Sequence, residues 1–276
     1  MKQRSSYCLV TGASQGIGKE LAYCAGREGW NLLLSALPGT GLSGVAKEIR
    51  RETGVDVKFQ EEDLIDPMGR RRLIATALSL DISILINNAG VGAPGLFDAN
   101  DLDRIHSIMA LNNTALVEIT HRLIPVLERS GPSRILNVSS LSSYFPMPHM
   151  AVYAATKGFV RQFSLALRSE LAHRAISVSV LCPSGVRTNR GAVNRIKMQG
   201  LIGRMTSSSA EEVASVAFQA LLDGKAVVIP GRLNRLLKNI SVLLPARFLA
   251  QLLERRFARL SEDKPRLSPQ LGRSWS

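Results

Sequence analysis

Short apolar runs recur along this chain, and between them lie longer stretches where apolar residues return every three or four positions. Tyr7–Val10, Asn31–Ala36 (NLLLSA), Val55–Gln60, Ser83–Ile86, Arg134–Val138, Ile176–Leu181 and Ala226–Ile229 read as buried strands. Helical spacing marks Ile17–Glu28, Ser43–Thr53, 67–80, Asp101–Glu128, Val152–His173 and Ala210–Leu222. Strands that are apolar throughout bury both faces, and alternation with helices points to a parallel sheet. The expected fold class is therefore α/β: one doubly wound parallel sheet of about seven strands with helices on both faces. Such a sheet binds its ligands at the carboxyl ends of its strands.

The pattern gives one domain over residues 5–231. Residues 189–209 read as a lid carrying Arg190, Arg195, Lys197 and Arg204. These cations serve either an anionic substrate handle or an ordinary solvated loop. Residues 232–260 form a basic, amphipathic helical extension divided by Pro245, and 261–276 read as a disordered tail. The extension can lie on an anionic membrane surface, cover the domain, or cover a partner subunit.

Composition narrows the partners. With 276 residues, 45% hydrophobic and 21% charged, the chain can bury a substantial core. Its net charge of +13 favours anionic partners. Nucleic acid is not expected, because zinc-finger spacing is missing and the basic residues are dispersed with few aromatics between them. Cys8, Cys24 and Cys182 are odd in number and not at metal-ligand spacing. They read as buried free thiols in a reducing compartment, so no metal is expected. The first strand begins too soon for a secretory leader, and no apolar run reaches bilayer length. Together these give a cytoplasmic expectation, with peripheral membrane contact left open through 232–260.

Two sites of chemistry stand out. Gly12, Gly16 and Gly18 in TGASQGIG follow the first strand and open the first helix. A glycine turn at a helix N-terminus lets backbone N–H groups approach a pyrophosphate. Tyr153 and Lys157 are four apart on a helix and share a face. A phenol ordinarily titrates near pH 10. A neighbouring ammonium favours the phenolate and makes the group a usable acid or base.

With NNAG at Asn87–Gly90, Asn112 in the fourth helix, Ser139–Ser140 after the fifth strand and YAATK at 153–157, the chain resembles the short-chain dehydrogenase/reductase family from about Tyr7 to Pro230. The resemblance implies a Rossmann-like fold and an oxidoreductase that moves a hydride between a nicotinamide and a carbonyl or alcohol. It implies a catalytic set of Asn112, Ser140, Tyr153 and Lys157. Lys157 would also hold the nicotinamide ribose, Ser140 the carbonyl oxygen, and Asn112 a water linking Lys157 to solvent. Gly12, Ser14, Gln15, Gly16, Ile17 and Gly18 would hold the pyrophosphate and adenosine ribose. Asp63 and Leu64 would meet the adenine, and Asn88, Ala89 and Gly90 would run beneath the adenosine half. Pro183, Val186 and Thr188 would meet the nicotinamide. The family's Pro-Gly here reads Pro183-Ser184-Gly185, and a second amide, Asn113, follows Asn112.

The second strand ends Ser35-Ala36-Leu37-Pro38, without the acid that would repel a 2′-phosphate. The arginine common near Leu37 in NADP-using relatives is missing too, and Gln15 stands where a base is common. Ser35, Thr40 and the PGTG glycines can bind phosphate, so NADP(H) is favoured and NAD(H) stays open. Phe145, Met147, Pro148, His149 and Met150 read as a mostly apolar pocket wall. The expected activity is NADPH-dependent reduction of a largely apolar ketone by a homo-oligomer joined through the Asp101 and Val152 helices. The competing reading is a non-catalytic cofactor-binding or scaffold protein on the same fold.

Overall fold

The computed structural model describes residues 5–92, 94–187 and 205–262, the side chains of 242 and 256–262 excepted. Thr188, most of the expected lid and the expected tail from 263 onward lie outside the described residues. The strands are β1 (Tyr7–Thr11), β2 (Asn31–Ala36), β3 (Val57–Glu61), β4 (Ile82–Asn87), β5 (Ser133–Val138), β6 (Ile176–Leu181), β7 (Val186–Arg187), β8 (Ser208–Ser209) and β9 (Val227–Val228). The helices are α1 (Gly16–Arg27), α2 (Leu42–Thr53), α3 (Pro67–Leu78), α4 (Leu102–Met109), α5 (Leu116–Arg129), α6 (Ala151–Leu171), α7 (Ala210–Leu222), α8 (Arg232–Leu243) and α9 (Ala246–Glu262).

Seven strands form one parallel sheet in the order β3-β2-β1-β4-β5-β6-β9. Successive side chains on a strand face opposite ways, which explains why the inner strands β2 and β4 are buried throughout, whereas β3 (VKFQE), expected to be buried, lies at the sheet edge and is mostly exposed. Leu32, Leu34, Ile84 and Ile86 pack with Ala22, Ala46 and Phe218 of α1, α2 and α7. Leu9, Leu33, Leu85 and Val178 face the other way, onto Leu73, Leu123 and Leu167 of α3, α5 and α6. The strand order reverses between β1 and β4, opening a crevice at their carboxyl ends.

The structure corrects three boundaries. The helix expected over Asp101–Glu128 is split into α4, a π-helical turn at Ala110–Ala115, and α5. The apolar run at Val55 starts two residues before β3, because Val55 is buried in the turn ahead of the ladder. Ser208–Ser209, placed in the expected lid, form β8 and pair with β7. Beyond β9, the chain continues as α8 and α9, interrupted at Leu244–Pro245. Among the described residues, no helix is long and apolar enough to cross a membrane.

Candidate active site

The crevice begins with the glycine turn. Gly12 and Gly16 take positive φ (67° and 57°), which β-carbon-bearing residues rarely adopt. A β-carbon on Gly18 would lie 2.2 Å from the Gly12 carbonyl oxygen and 2.3 Å from Asn88 Nδ2, so α1 packs closer to the loop than any side chain permits. Gln15 is the exposed N-cap of α1, and its side chain caps none of the first-turn N–H groups. By contrast, Asp66 caps α3, Asp101 caps α4 and Ser209 caps α7. The uncapped first turn of α1 suits an anionic pyrophosphate.

Asn88 ties this turn to β4. Its Nδ2 donates to the carbonyls of Thr11 (2.9 Å) and Gly12 (3.0 Å). The Asn88 and Ala89 N–H groups donate to Thr11 Oγ1 at 3.0 and 3.1 Å. Ser14 and Ile17 are half-buried in the turn, Ile17 against the core beneath α1. Asp63 is half-buried and accepts the Ile65 N–H at 2.8 Å. The Leu64 side chain is buried in the core and its carbonyl accepts from Arg70. Ser35 is also fully buried, and its carbonyl holds the Ala13 N–H. That removes Ser35 as a phosphate ligand and leaves Thr40 with Gly39 and Gly41, all exposed.

The strip after Asn88 leads to the catalytic candidates. A β-carbon on Gly90 would lie 3.0 Å from Asn112 Oδ1 and 3.1 Å from Lys157 Nζ. One on Gly92 would lie 3.3 Å from the Tyr153 ring. Asn112 is 1% exposed. Its Oδ1 accepts the Val91 N–H (2.9 Å), while Nδ2 donates to the Val91 carbonyl and Thr156 Oγ1, both at 3.0 Å. Asn113 turns instead to the Thr156 carbonyl. The π-helical turn thus presents consecutive amides to α6, and Asn112 is the one beside Lys157.

Lys157 is buried, with Nζ 6.0 Å from the centre of the Tyr153 ring. Nζ donates to the Val138 carbonyl at 2.8 Å. Burial lowers its pKa to about 8, against a smaller raising effect from Cys182. Ser139 is buried and donates to the Lys157 carbonyl at 2.6 Å, which fixes the end of β5 on α6. Ser140 is half-buried; its Oγ accepts the Ser142 N–H at 3.1 Å, capping the 3-10 turn Leu141–Tyr144. Its hydroxyl hydrogen stays free for another acceptor. Pro183 is buried and its carbonyl accepts the Leu141 N–H. Val186 packs on the core at the start of β7. All three cysteines are free, Cys24 being only half-buried; burial pushes Cys182 up to about 11. Among the described residues there is no metal-binding cluster.

Sequence reasoning missed one group. Asn87 Nδ2 donates to Thr120 Oγ1 (2.9 Å) and Asn137 Oδ1 (2.8 Å), and Asn137 Nδ2 donates to Ser164 Oγ (2.9 Å). An asparagine late in two neighbouring apolar strands was the available signal.

A family model described as short chain dehydrogenase matches residues 6–199. Human 17-beta-hydroxysteroid dehydrogenase type 3 is 32% identical over 191 residues, covering 68% of this chain and 61% of that protein. The chain therefore spans about three fifths of that relative's length. The 1-deoxy-11-beta-hydroxypentalenate dehydrogenase of Streptomyces avermitilis is 33% identical over 228 residues, covering 80% of this chain and 83% of the relative. Among solved structures, a short-chain dehydrogenase from Sphingobium yanoikuyae in complex with NADPH superposes with a TM-score of 0.73 at 29% identity. That match covers 95% of this chain and 98% of the other.

Proposed function

The chain belongs to the short-chain dehydrogenase family, and from that premise we propose that it is an oxidoreductase that reduces a largely apolar ketone with NADPH. The observation that carries this reading is the buried Lys157 ammonium beside Tyr153, at the end of the strip joining the glycine turn to α6. A scaffold protein gains nothing from the cost of burying that charge.

The nicotinamide cofactor would supply the hydride. Gly12, Ser14, Gln15, Gly16, Ile17 and Gly18 would hold its pyrophosphate at the uncapped end of α1. Asn88–Gly90 would back its adenosine half, with Asp63 and the Leu64 backbone at the adenine. Pro183 and Val186 would border the nicotinamide; Thr188 is the further candidate from the sequence. The Tyr153 hydroxyl gives its proton to the substrate's carbonyl oxygen. Ser140 donates a hydrogen bond to the same oxygen and fixes it in place. Lys157 stabilises the phenolate left behind and can exchange the Val138 carbonyl for ribose hydroxyls. The amide donors of Asn112 are spent on Val91 and Thr156, so the second lone pair of Oδ1 holds the water that resupplies the proton.

The preference for NADPH rests on the exposed turn at 37–41, which is free of acids and carries Thr40 ahead of α2. An apolar substrate is supported by the wall at Phe145–Met150 and by the hydroxysteroid and hydroxypentalenate substrates named for the two relatives. A second copy would pack on the outer face of α4 and α6, where Met109 and Phe159 are exposed. Oxidation of NADPH and NADH across steroid, acyl-thioester, sugar and simple ketones tests the reading. Turnover should favour NADPH with an apolar ketone. Tyr153→Phe should lose about a hundred- to ten-thousand-fold in kcat while still binding cofactor. Unchanged activity in that variant would overturn the assignment.

A further inference from the structure

Helices α8 and α9 are anchored on one side and apolar on the other. Asn234 is buried and donates to the carbonyls of Thr206 (3.1 Å) and Pro230 (2.8 Å). Ser241 and Leu249 are buried as well. Glu254 meets His149 Nε2 at 3.3 Å, pinning α9 to the loop before Tyr153. What this packing leaves outside is a stripe: Leu236, Ile240 and Leu243 at helical spacing on α8, then Phe248 and Leu252 on α9. Leu243, at the corner between the helices, is 82% exposed.

Cations border the stripe. Arg232, Arg235, Arg247 and Arg255 are exposed. Between 232 and 255 the sole acid is Glu254, which is turned to His149. We propose that this face of α8 and α9 docks the chain on the anionic surface of a lipid bilayer. An apolar stripe flanked by arginines matches the boundary between acyl chains and anionic headgroups. The helices lie on the bilayer, since neither is long and apolar enough to cross it. A second copy fits less well, because a two-fold interface here would set arginine against arginine.

The surface also adjoins the active site. Helix α8 packs on the 3-10 turn that Ser140 caps, and α9 touches His149 in the expected substrate wall. Docking therefore puts the substrate side near lipid, which suits an apolar substrate. That last point rests on the reductase reading; vesicle binding does not.

The test is co-sedimentation of the full chain with vesicles of phosphatidylcholine alone or with added phosphatidylserine, at low and high salt. Binding should require phosphatidylserine and weaken with salt. Arg232→Gln with Arg235→Gln should lose more than tenfold in partition. Leu236→Ser with Leu243→Ser should lose about as much, with the thermal midpoint unchanged in both variants. Equal binding to both vesicles, full binding by either variant, or self-association that these substitutions abolish without any vesicle binding would each overturn the proposal. Vesicle binding without ketone turnover would leave it standing and refute the reductase reading alone.

Discussion

Lys157 is where the chemistry leaves its mark on stability. Its folded pKa of about 8 lies below the ordinary lysine value of 10.5. The folded protein therefore bears the cost of a buried ammonium at every pH below about 8, and that cost is relieved as pH rises from about 8 toward 10.5. At neutral pH the cost is roughly 3 kcal/mol. Comparison of wild type with Lys157→Met by urea unfolding isolates it. Loss of the bond to the Val138 carbonyl is common to all pH values and cancels. Wild type should gain on the variant by about 2–3 kcal/mol between pH 7 and pH 10. A constant difference across that range would mean that the folded amine keeps its proton as firmly as the unfolded one, with no lowering of its pKa.

Among the elements, the glycine turn and the π-helical turn differ in how far sequence reveals them. The turn's glycines sit between an apolar run and a helical one, so its place was legible without coordinates. The reason for Gly18 was not, because it is contact across the chain: Gly12 and Asn88 occupy the space a side chain would need. Gly18→Ala should therefore push α1 away from the loop. Cofactor affinity should fall by at least tenfold, and stability by about 1–3 kcal/mol. Isothermal titration and thermal melts would measure the two effects, and normal affinity would show that the loop yields cheaply. The π-helical turn was hidden because one extra residue scarcely disturbs a helical period. Its cause lies in long-range bonds from Asn112 to Val91 and Thr156. The division at Pro245 was readable, since proline cannot continue a helix. Which side of α8 and α9 packs inward was not.

At the scale of the whole molecule, the sheet and the helices behind it meet through buried polar side chains. Asn87 and Asn137 lie near the carboxyl ends of β4 and β5, in register with each other, and reach Thr120 on α5 and Ser164 on α6. Asn137 and Ser164 are almost wholly buried. Apolar periodicity assigned these strands, but it counts an asparagine as a blemish and cannot show that two of them pair. The network stands just before both the Asn88–Gly90 strip and the Ser139–Ser140 pair, so it holds the two halves of the site at a fixed separation. Asn137→Ala removes one partner from Asn87 and one from Ser164, and should cost about 2–4 kcal/mol. It should also lower kcat more than it raises KM, because binding surfaces remain while the alignment of Ser140 with Tyr153 loosens. A double-mutant cycle with Ser164→Ala separates a network from neighbours: a coupling of about 0.5–3 kcal/mol is expected. Strictly additive losses with unchanged kcat would mean that these side chains only fill the space between sheet and helices.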